Sequence, residues 1–361
     1  AGRHPDWAVV RPRRRSLRRG SRAAPRPSHP AGGRRIRRWA AQLRLLEHGH
    51  PGRGVQQGVL GGPLRLGEEP LGEPRAPLGG AGAPSPTQVP GPIEDYRRAV
   101  SAIEEASGFA EGARILGVHY EGPFVNSAQC GALRTKFFRA FSNTKVLDEL
   151  PTIKRFGAKH MMTLAPEAEG GIALISALIN RGWIVSVGHT KADFSVLDEA
   201  LAAGAHHMTH FMNAMPPLHH RSPGPVGWGL LHDEVTCDVI ADGVHLERRT
   251  LQLLMKLKGR DRLILISDAI AAAGLGDGVY NIWNESISVK DGRTSNQRGN
   301  IAGSVISMLD AMKLMRNLGV EEVDLARISS LNAARLLGID SDCGSIEEGK
   351  RADQPLVESN V

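Results

Sequence analysis

The chain has 361 residues, with 45 Lys and Arg against 38 Asp and Glu, and three widely spaced cysteines, Cys130, Cys237 and Cys343. That length suffices for one large α/β domain or two domains, and cysteines so placed exclude a disulfide framework or a Cys-rich zinc module and fit a reducing compartment. No run of about 18 apolar residues is present, which excludes a membrane-spanning helix, and the first 30 residues lack the apolar core of a signal peptide, so a cytoplasmic location is expected.

The net charge of +7 is concentrated at one end. Residues 1–53 hold fifteen Arg and no Lys against Asp6 and Glu47, a net of +13, so the remainder carries −6. Residues 1–85 are rich in Arg, Gly and Pro and show no sustained period of 2 or 3.6. Such a composition buries too little apolar surface to offset the entropy of ordering, so no folded domain is expected there. Three origins stand open: a disordered basic tail that binds nucleic acid or acidic surfaces, a transit segment, or a stretch read in a different frame from the rest. Only Trp7 and Trp39 interleave the arginines, so nucleic-acid binding there would be non-specific and steeply salt-dependent.

Order is expected from about residue 86. Pro92 suits the first position of a helix whose apolar face is Ile93, Tyr96, Val100 and Ile103, with Gly108 as its stop. An apolar run at 113–120 predicts a strand ending in Glu121, and a second strand is predicted at 159–167 after a polar helical stretch. A helix is predicted at 170–181, stopping at Gly182. Trp183–Val187 predicts a strand followed by Gly188 and His189, and residues 191–203 predict a helix stopping at Gly204. Strands are predicted at 206–210, 236–241 and 263–267, short strands and turns at 280–301, and helices at 305–318 and 322–337. Strands alternating with helices indicate a parallel sheet, and this number of units favours a (β/α)₈ barrel over an open sheet.

Glu121, His189, His210 and Asp268 each follow a short apolar run. Any one of them alone is more often a hydrogen-bonded structural side chain than a ligand. Four together, at strand ends separated by helix-length segments, are seldom an accident. In a (β/α)₈ barrel the C-terminal strand ends face one site, and Glu and His are ligands of catalytic zinc-type centres that keep one position open.

From about residue 86 to 352, roughly three quarters of its length, the chain resembles the N-acetylglucosamine-6-phosphate deacetylases of the amidohydrolase superfamily. The resemblance rests on Glu121-Gly122-Pro123-Phe124, Gly188-His189-Thr190, Thr209-His210-Phe211-Met212-Asn213-Ala214-Met215, His219-His220-Arg221-Ser222-Pro223-Gly224, Asp242-Gly243-Val244-His245, Ser267-Asp268-Ala269, Ile301-Ala302-Gly303-Ser304 and Gly344 to Asp353. Each motif is weak alone; eight in the family's order are highly specific. The resemblance implies an α/β barrel of the amidohydrolase type over 86–340, incomplete at its N-terminus, and a remnant of a small β-segment over 341–361. It implies one divalent metal ion, zinc or a similar transition metal, on Glu121, His189 and His210, with Asp268 as general base. It places His245 at the sugar or the scissile carbonyl, and Arg221 at the phosphate. Ala132, Leu133, Asn213, Ala214, Asp242, Ile301, Ala302 and Gly303 are implied substrate contacts, although many relatives carry His where Leu133 stands. The Arg221 loop implies a homodimer, because in relatives it reaches the neighbouring subunit's site. The implied activity is release of acetate from N-acetylglucosamine 6-phosphate. Another acetamido sugar or a cyclic amide, or an inactive chain, are the alternatives.

The chain departs from the family at both ends. A first barrel strand ending in an Asp-x-His-x-His type motif is expected where the Arg/Gly/Pro-rich stretch stands, and the pattern resumes abruptly at Pro86-Thr87-Gln88-Val89. This abrupt start favours the frame difference for 1–85 and implies the loss of two barrel strands. His48 and His50 have the spacing of the missing ligand pair without a strand before them. After Asp353 the expected apolar strand gives way to Gln354–Val361, with Pro355 in it.

Overall fold

A computed structural model describes residues 84–107, 114–155 and 157–351. The segment 1–83 with His48 and His50, the stop at Gly108 and the chain from Ala352 onward lie outside the described residues.

Seven strands form one parallel sheet: β1 (Thr87–Gln88), β2 (His119–Glu121), β3 (Met161–Leu164), β4 (Ile184–Val187), β5 (His207–Met208), β6 (Thr236–Ile240) and β7 (Leu263–Ile266). Their spatial order is their sequence order, and every pair is parallel. Because no crossover reverses direction, each right-handed connection advances the sheet the same way and curls it toward a barrel. Among the described residues β1 and β7 do not pair, so the curled sheet is open between them. β1 itself was not expected, since order was predicted to begin with a helix. Thr87 and Gln88 take the edge position beside His119 and Tyr120.

The strands' two faces differ in chemistry. Val118, Tyr120, Met162, Leu164, Val185, Val187, Met208, Cys237, Val239, Leu263 and Leu265 are buried in one core with Tyr96, Val100, Leu174, Leu178, Leu197, Leu251, Leu254 and Ile328. The alternate positions carry His119, Thr163, Ser186, His207 and Asp238, a polar row on the other face. His119 bridges it, its ring nitrogens 3.0 Å from Thr87 Oγ1 and 2.8 Å from Thr163 Oγ1. Burial there pushes the His119 ring down to about 4.

Helices at Ile93–Ser107, Gly171–Asn180, Phe194–Ala202 and Met308–Asn317 stand where periodicity predicts them. The last carries a capping box of Ser307 and Asp310. The predicted helix at 322–337 is one helical run interrupted by a π turn at Arg327–Leu331. Among its described residues, the polar stretch before β3 holds only single turns and the short helix Lys145–Asp148. Two helices were not predicted. Gly224–Leu231 contains Gly224, Gly227 and Gly229, which weaken helix propensity, yet it packs so closely that a Cβ on Gly229 would lie 2.6 Å from Met208 Sδ. Arg248–Leu257 is capped by Glu247 and buries Leu251 and Leu254.

After β7, strands β8 (Gly278–Ile282), β9 (Glu285–Lys290) and β10 (Arg293–Asn296) form an antiparallel sheet with its own core of Ile270, Ala272, Ile282, Ile287, Val289 and Ala302. Its β8–β9 hairpin turns on Trp283 and Asn284, both at positive φ, as a two-residue turn of the I′ kind requires. Among the described residues no helix is long and apolar enough to cross a membrane.

Candidate metal centre

Three strands of the parallel sheet, β2, β4 and β5, each lead to a polar side chain aimed at the same point. Glu121 closes β2; His189 follows β4 after Gly188; His210 follows β5 after Thr209. Gly188 is required where it stands, since a Cβ there would lie 2.5 Å from Thr209 Cγ2 and 2.8 Å from Thr163 Cγ2. Glu121 Oε1 is 2.8 Å from His189 Nε2 and 3.1 Å from His210 Nε2, and the two Nε2 atoms are 3.1 Å apart. The rings meet edge to face at 4.8 Å. Side-chain exposure is 4% for His189, 7% for His210 and 12% for Glu121, so these groups are almost withdrawn from water.

This donor set fits a cation. His189 Nδ1 lies 2.8 Å from the Gln129 carbonyl oxygen, which only accepts. Nδ1 therefore carries a hydrogen, which leaves Nε2 to donate to Glu121 when it is protonated or to offer its lone pair to a cation when it is not. Lone pairs held this close repel unless protons or a metal ion lie between them. Two imidazole nitrogens and a carboxylate, with ligand atoms all within 4.8 Å of one another, match a catalytic divalent centre with a position left open. His210 Nδ1 is buried without a partner.

The charges reinforce this. Burial works against the Glu121 charge, but the hydrogen bonds to His189 and His210 outweigh it and hold the carboxyl well below the usual carboxylate range. Burial likewise opposes protonation of His210, yet the hydrogen bond to Glu121, and then the charges of Glu121, Asp268 and Asp238, push its ring up to about 9. Burial, and next the charge of Glu121, push Asp268 up to about 7, against the opposing pull of His210 and His245. A divalent cation on Glu121 would favour the ionised form of Asp268.

Five of the eight non-glycine residues with positive φ among those described sit at these strand ends: His189 (49°), His210 (29°), Met212 (74°), Ala214 (51°) and Asp268 (48°). Backbone strain of this kind clusters where side chains must be aimed. Asp268 does not cap a helix; its carbonyl accepts from Ser304 N at 2.7 Å, and Ser304 Oγ donates to the Ser267 carbonyl. Gly303 backs it, since a Cβ there would lie 2.9 Å from the Asp268 carbonyl oxygen.

The remaining expected residues divide by geometry. The His245 side chain is almost withdrawn from water, and its Nδ1 lies 2.6 Å from Asp242 Oδ2. The other Asp242 oxygen accepts from Val244 N and His245 N, each at 2.8 Å. Asp242, implied as a substrate contact, is thus occupied in holding His245. Burial raises and these hydrogen bonds lower the Asp242 carboxyl, with a net downward shift. Asn213 donates through Nδ2 to the His210 carbonyl at 3.1 Å, and Ala214 and His189 lie within 4 Å of the Cβ position of Gly131. Leu133 turns its side chain into the core, and its carbonyl and that of Ala132 accept from Arg298 Nη2 at 3.2 and 2.8 Å. Ala302 is buried with its N–H given to Thr294 Oγ1 at 3.1 Å; Thr294 Oγ1 donates to the Gly303 carbonyl at 2.6 Å, and Ile301 stays half-buried beside them. Arg221 stands apart, on an exposed loop, its contacts being with His219 and His220.

Glu167 is among the supporting residues that sequence reasoning missed. Glu167 accepts from Asn126 Nδ2 (2.9 Å), Lys191 N (2.7 Å) and Thr190 Oγ1 (2.6 Å), while Asn126 N donates to the His189 carbonyl at 3.0 Å. This clamp fixes the main chain at His189 and immediately after it. Its signal was present, because Glu167 also follows a strand run.

The model of the amidohydrolase family matches residues 94–360. The chain is 40% identical over 260 residues to the N-acetylglucosamine-6-phosphate deacetylase of Bacillus subtilis, covering 72% of this chain and 65% of that protein. It is 33% identical over 284 residues to the N-acetylgalactosamine-6-phosphate deacetylase of Escherichia coli O157:H7, covering 78% and 74%. The crystal structure of the N-acetylglucosamine-6-phosphate deacetylase of Thermotoga maritima is similar at a TM-score of 0.67 and 36% identity, over 74% of this chain and 72% of that one. The chain thus spans about two thirds of the length of the Bacillus relative. With the family model matching well over half of its residues, the chain belongs to the amidohydrolase family.

Proposed function

We propose that the chain hydrolyses the acetamide of N-acetylglucosamine 6-phosphate, releasing acetate and glucosamine 6-phosphate, with one divalent transition-metal ion on Glu121, His189 and His210. The observation that carries this is the convergence of those three ligand atoms beside Asp268, together with relatives that bear that activity by name. The ion, when bound, would supply Lewis-acid polarisation of the acetamide carbonyl and acidify the attacking water. Asp268 takes the proton from that water and returns it to the departing amine. His245, held by Asp242 in the tautomer with hydrogen on Nδ1, turns Nε2 to the sugar; in its protonated form it steadies the oxyanion. Asn213 and Ala214 flank the sugar, and Ala132 and the 301–303 segment line the opposite side through main-chain atoms. Arg221 takes the phosphate, since a guanidinium matches phosphate oxygens in pairs.

The exposed loop at Leu218–Arg221 suits a homodimer in which a second copy orders it. The same reading divides the chain into the segment 1–85, a barrel over 86–340 and a short end segment, and places the protein in the cytoplasm. A second reading, an inactive barrel, is favoured by the lack of a β1–β7 pairing among the described residues. Acetate release with and without a chelator decides between them. Activity that the chelator abolishes supports the proposal; none in folded, metal-loaded protein overturns it. Comparing the 6-phosphates of N-acetylglucosamine and N-acetylgalactosamine tests the choice of sugar.

A further inference from the structure

The two histidines of the centre are held in different ways. His189 is aimed through its ring, by Nδ1 on the Gln129 carbonyl, the usual device for a metal-ligating imidazole. His210 has no such partner, because its Nδ1 is buried and unbonded. Its main chain is gripped instead. The β5–β6 ladder ends at Met208 opposite Cys237. From there Asp238 takes over: Oδ1 accepts the His210 N–H, Oδ2 faces His207 Nε2 at 3.0 Å and Thr209 Oγ1 at 3.4 Å, and its carbonyl accepts Phe211 N at 2.8 Å. His207 is fixed in turn by Nδ1 against Thr236 Oγ1 at 2.8 Å. Both side chains are buried, at 8% exposure for Asp238 and 1% for His207. A carboxylate this deep requires full satisfaction, and it obtains it from the segment that bends into the left-handed region at His210.

We infer that Asp238, braced by His207, is the positioning residue for His210, acting on the ligand's backbone amide and not on its ring. The inference rests on the metal-centre reading above. Removing the grip frees a non-glycine residue at φ 29° to relax toward an ordinary conformation, which swings Nε2 away from Glu121 and His189.

Two conservative variants of the full chain separate position from charge. Asp238→Asn keeps an acceptor at the same place and loses the charge. Asp238→Glu keeps the charge but carries it about 1.5 Å further from the backbone, so it cannot serve His207 and the His210 amide together. The readouts are cobalt(II) affinity by chelator competition, the visible spectrum of the bound cobalt, and hydrogen exchange of the His210 amide in metal-free protein. Asp238→Asn is expected within about threefold of the parent in affinity, with its spectrum and amide protection kept. Asp238→Glu is expected to lose about 10–100-fold, with an altered spectrum and a faster-exchanging His210 amide. Glu retaining affinity while Asn loses it, both retaining it, or both losing it overturns the inference. A parent that binds no cobalt while the exchange pattern holds would overturn the metal reading and leave the grip on His210 standing.

Discussion

The strand-end centre and the Leu218–Arg221 loop stand at opposite limits of preorganisation. The side chains of Glu121, His189 and His210 are almost withdrawn from water, and the two histidines are fixed from behind by Gln129, Glu167 and Asp238. Arg221, the phosphate candidate, is exposed and leans on its own loop. On the proposed function, the groups that break the bond are held by the fold, whereas the phosphate candidate stands on an exposed loop. Changes in the first region should strike metal binding and turnover; changes in the second should strike substrate affinity alone.

The largest effect expected within that contrast is on turnover. Asp268→Asn should lower kcat by about 10²–10⁴-fold while leaving metal content at the parent level; metal loss in step with activity would make Asp268 a ligand instead. Next comes Gly188→Ala. The added methyl meets Thr209 and Thr163, and overpacking of this kind costs about 1–3 kcal/mol. A lowered Tm with weakened metal affinity is expected, and an unchanged Tm would mean that the strand ends are less closely packed than described.

The pH dependence of metal binding sharpens the same contrast. The metal-free His210 ring is raised above the ordinary imidazole value, to about 9. Its proton therefore stabilises the metal-free fold fully below about 6.5, and that contribution is lost as pH rises through about 9. A cation must displace the proton, so affinity carries the opposite sign: it should climb about tenfold per pH unit from neutrality and level off above about 9. A flat profile by calorimetry would place the competing proton elsewhere. The smallest effect belongs to the loop. Arg221→Ala should raise KM for the phosphorylated sugar about tenfold, the worth of a hydrogen bond to a charged group, with kcat, Tm and metal content unchanged. An unchanged KM would remove Arg221 from phosphate recognition.

Much of this was legible in the sequence, for local reasons. β4 and β7 are short, largely apolar runs followed by His189 and Asp268, and Glu121 and His210 stand likewise at the ends of β2 and β5, so strand and terminator stand side by side. What escaped depends on packing between distant segments. The helix at Gly224–Leu231 escaped because three glycines argue against it until Met208 and Phe211 are seen to need a surface without side chains. Asp238 escaped because its partners His207 and His210 lie across the β5–β6 register, and only its charge within an otherwise buried strand hinted at a role. Asp242 and His245 were both read as substrate contacts, since spacing cannot show that one consumes the hydrogen bonds of the other. Leu133, read as a substrate contact, turns its side chain inward.

Metal analysis on purified protein tests the central claim most directly, comparing the parent with His210→Ala and with the double variant His48→Ala, His50→Ala. The account predicts one equivalent per chain, lost in His210→Ala and unchanged in the double variant. Two equivalents in the parent, falling to one in the double variant, would contradict it.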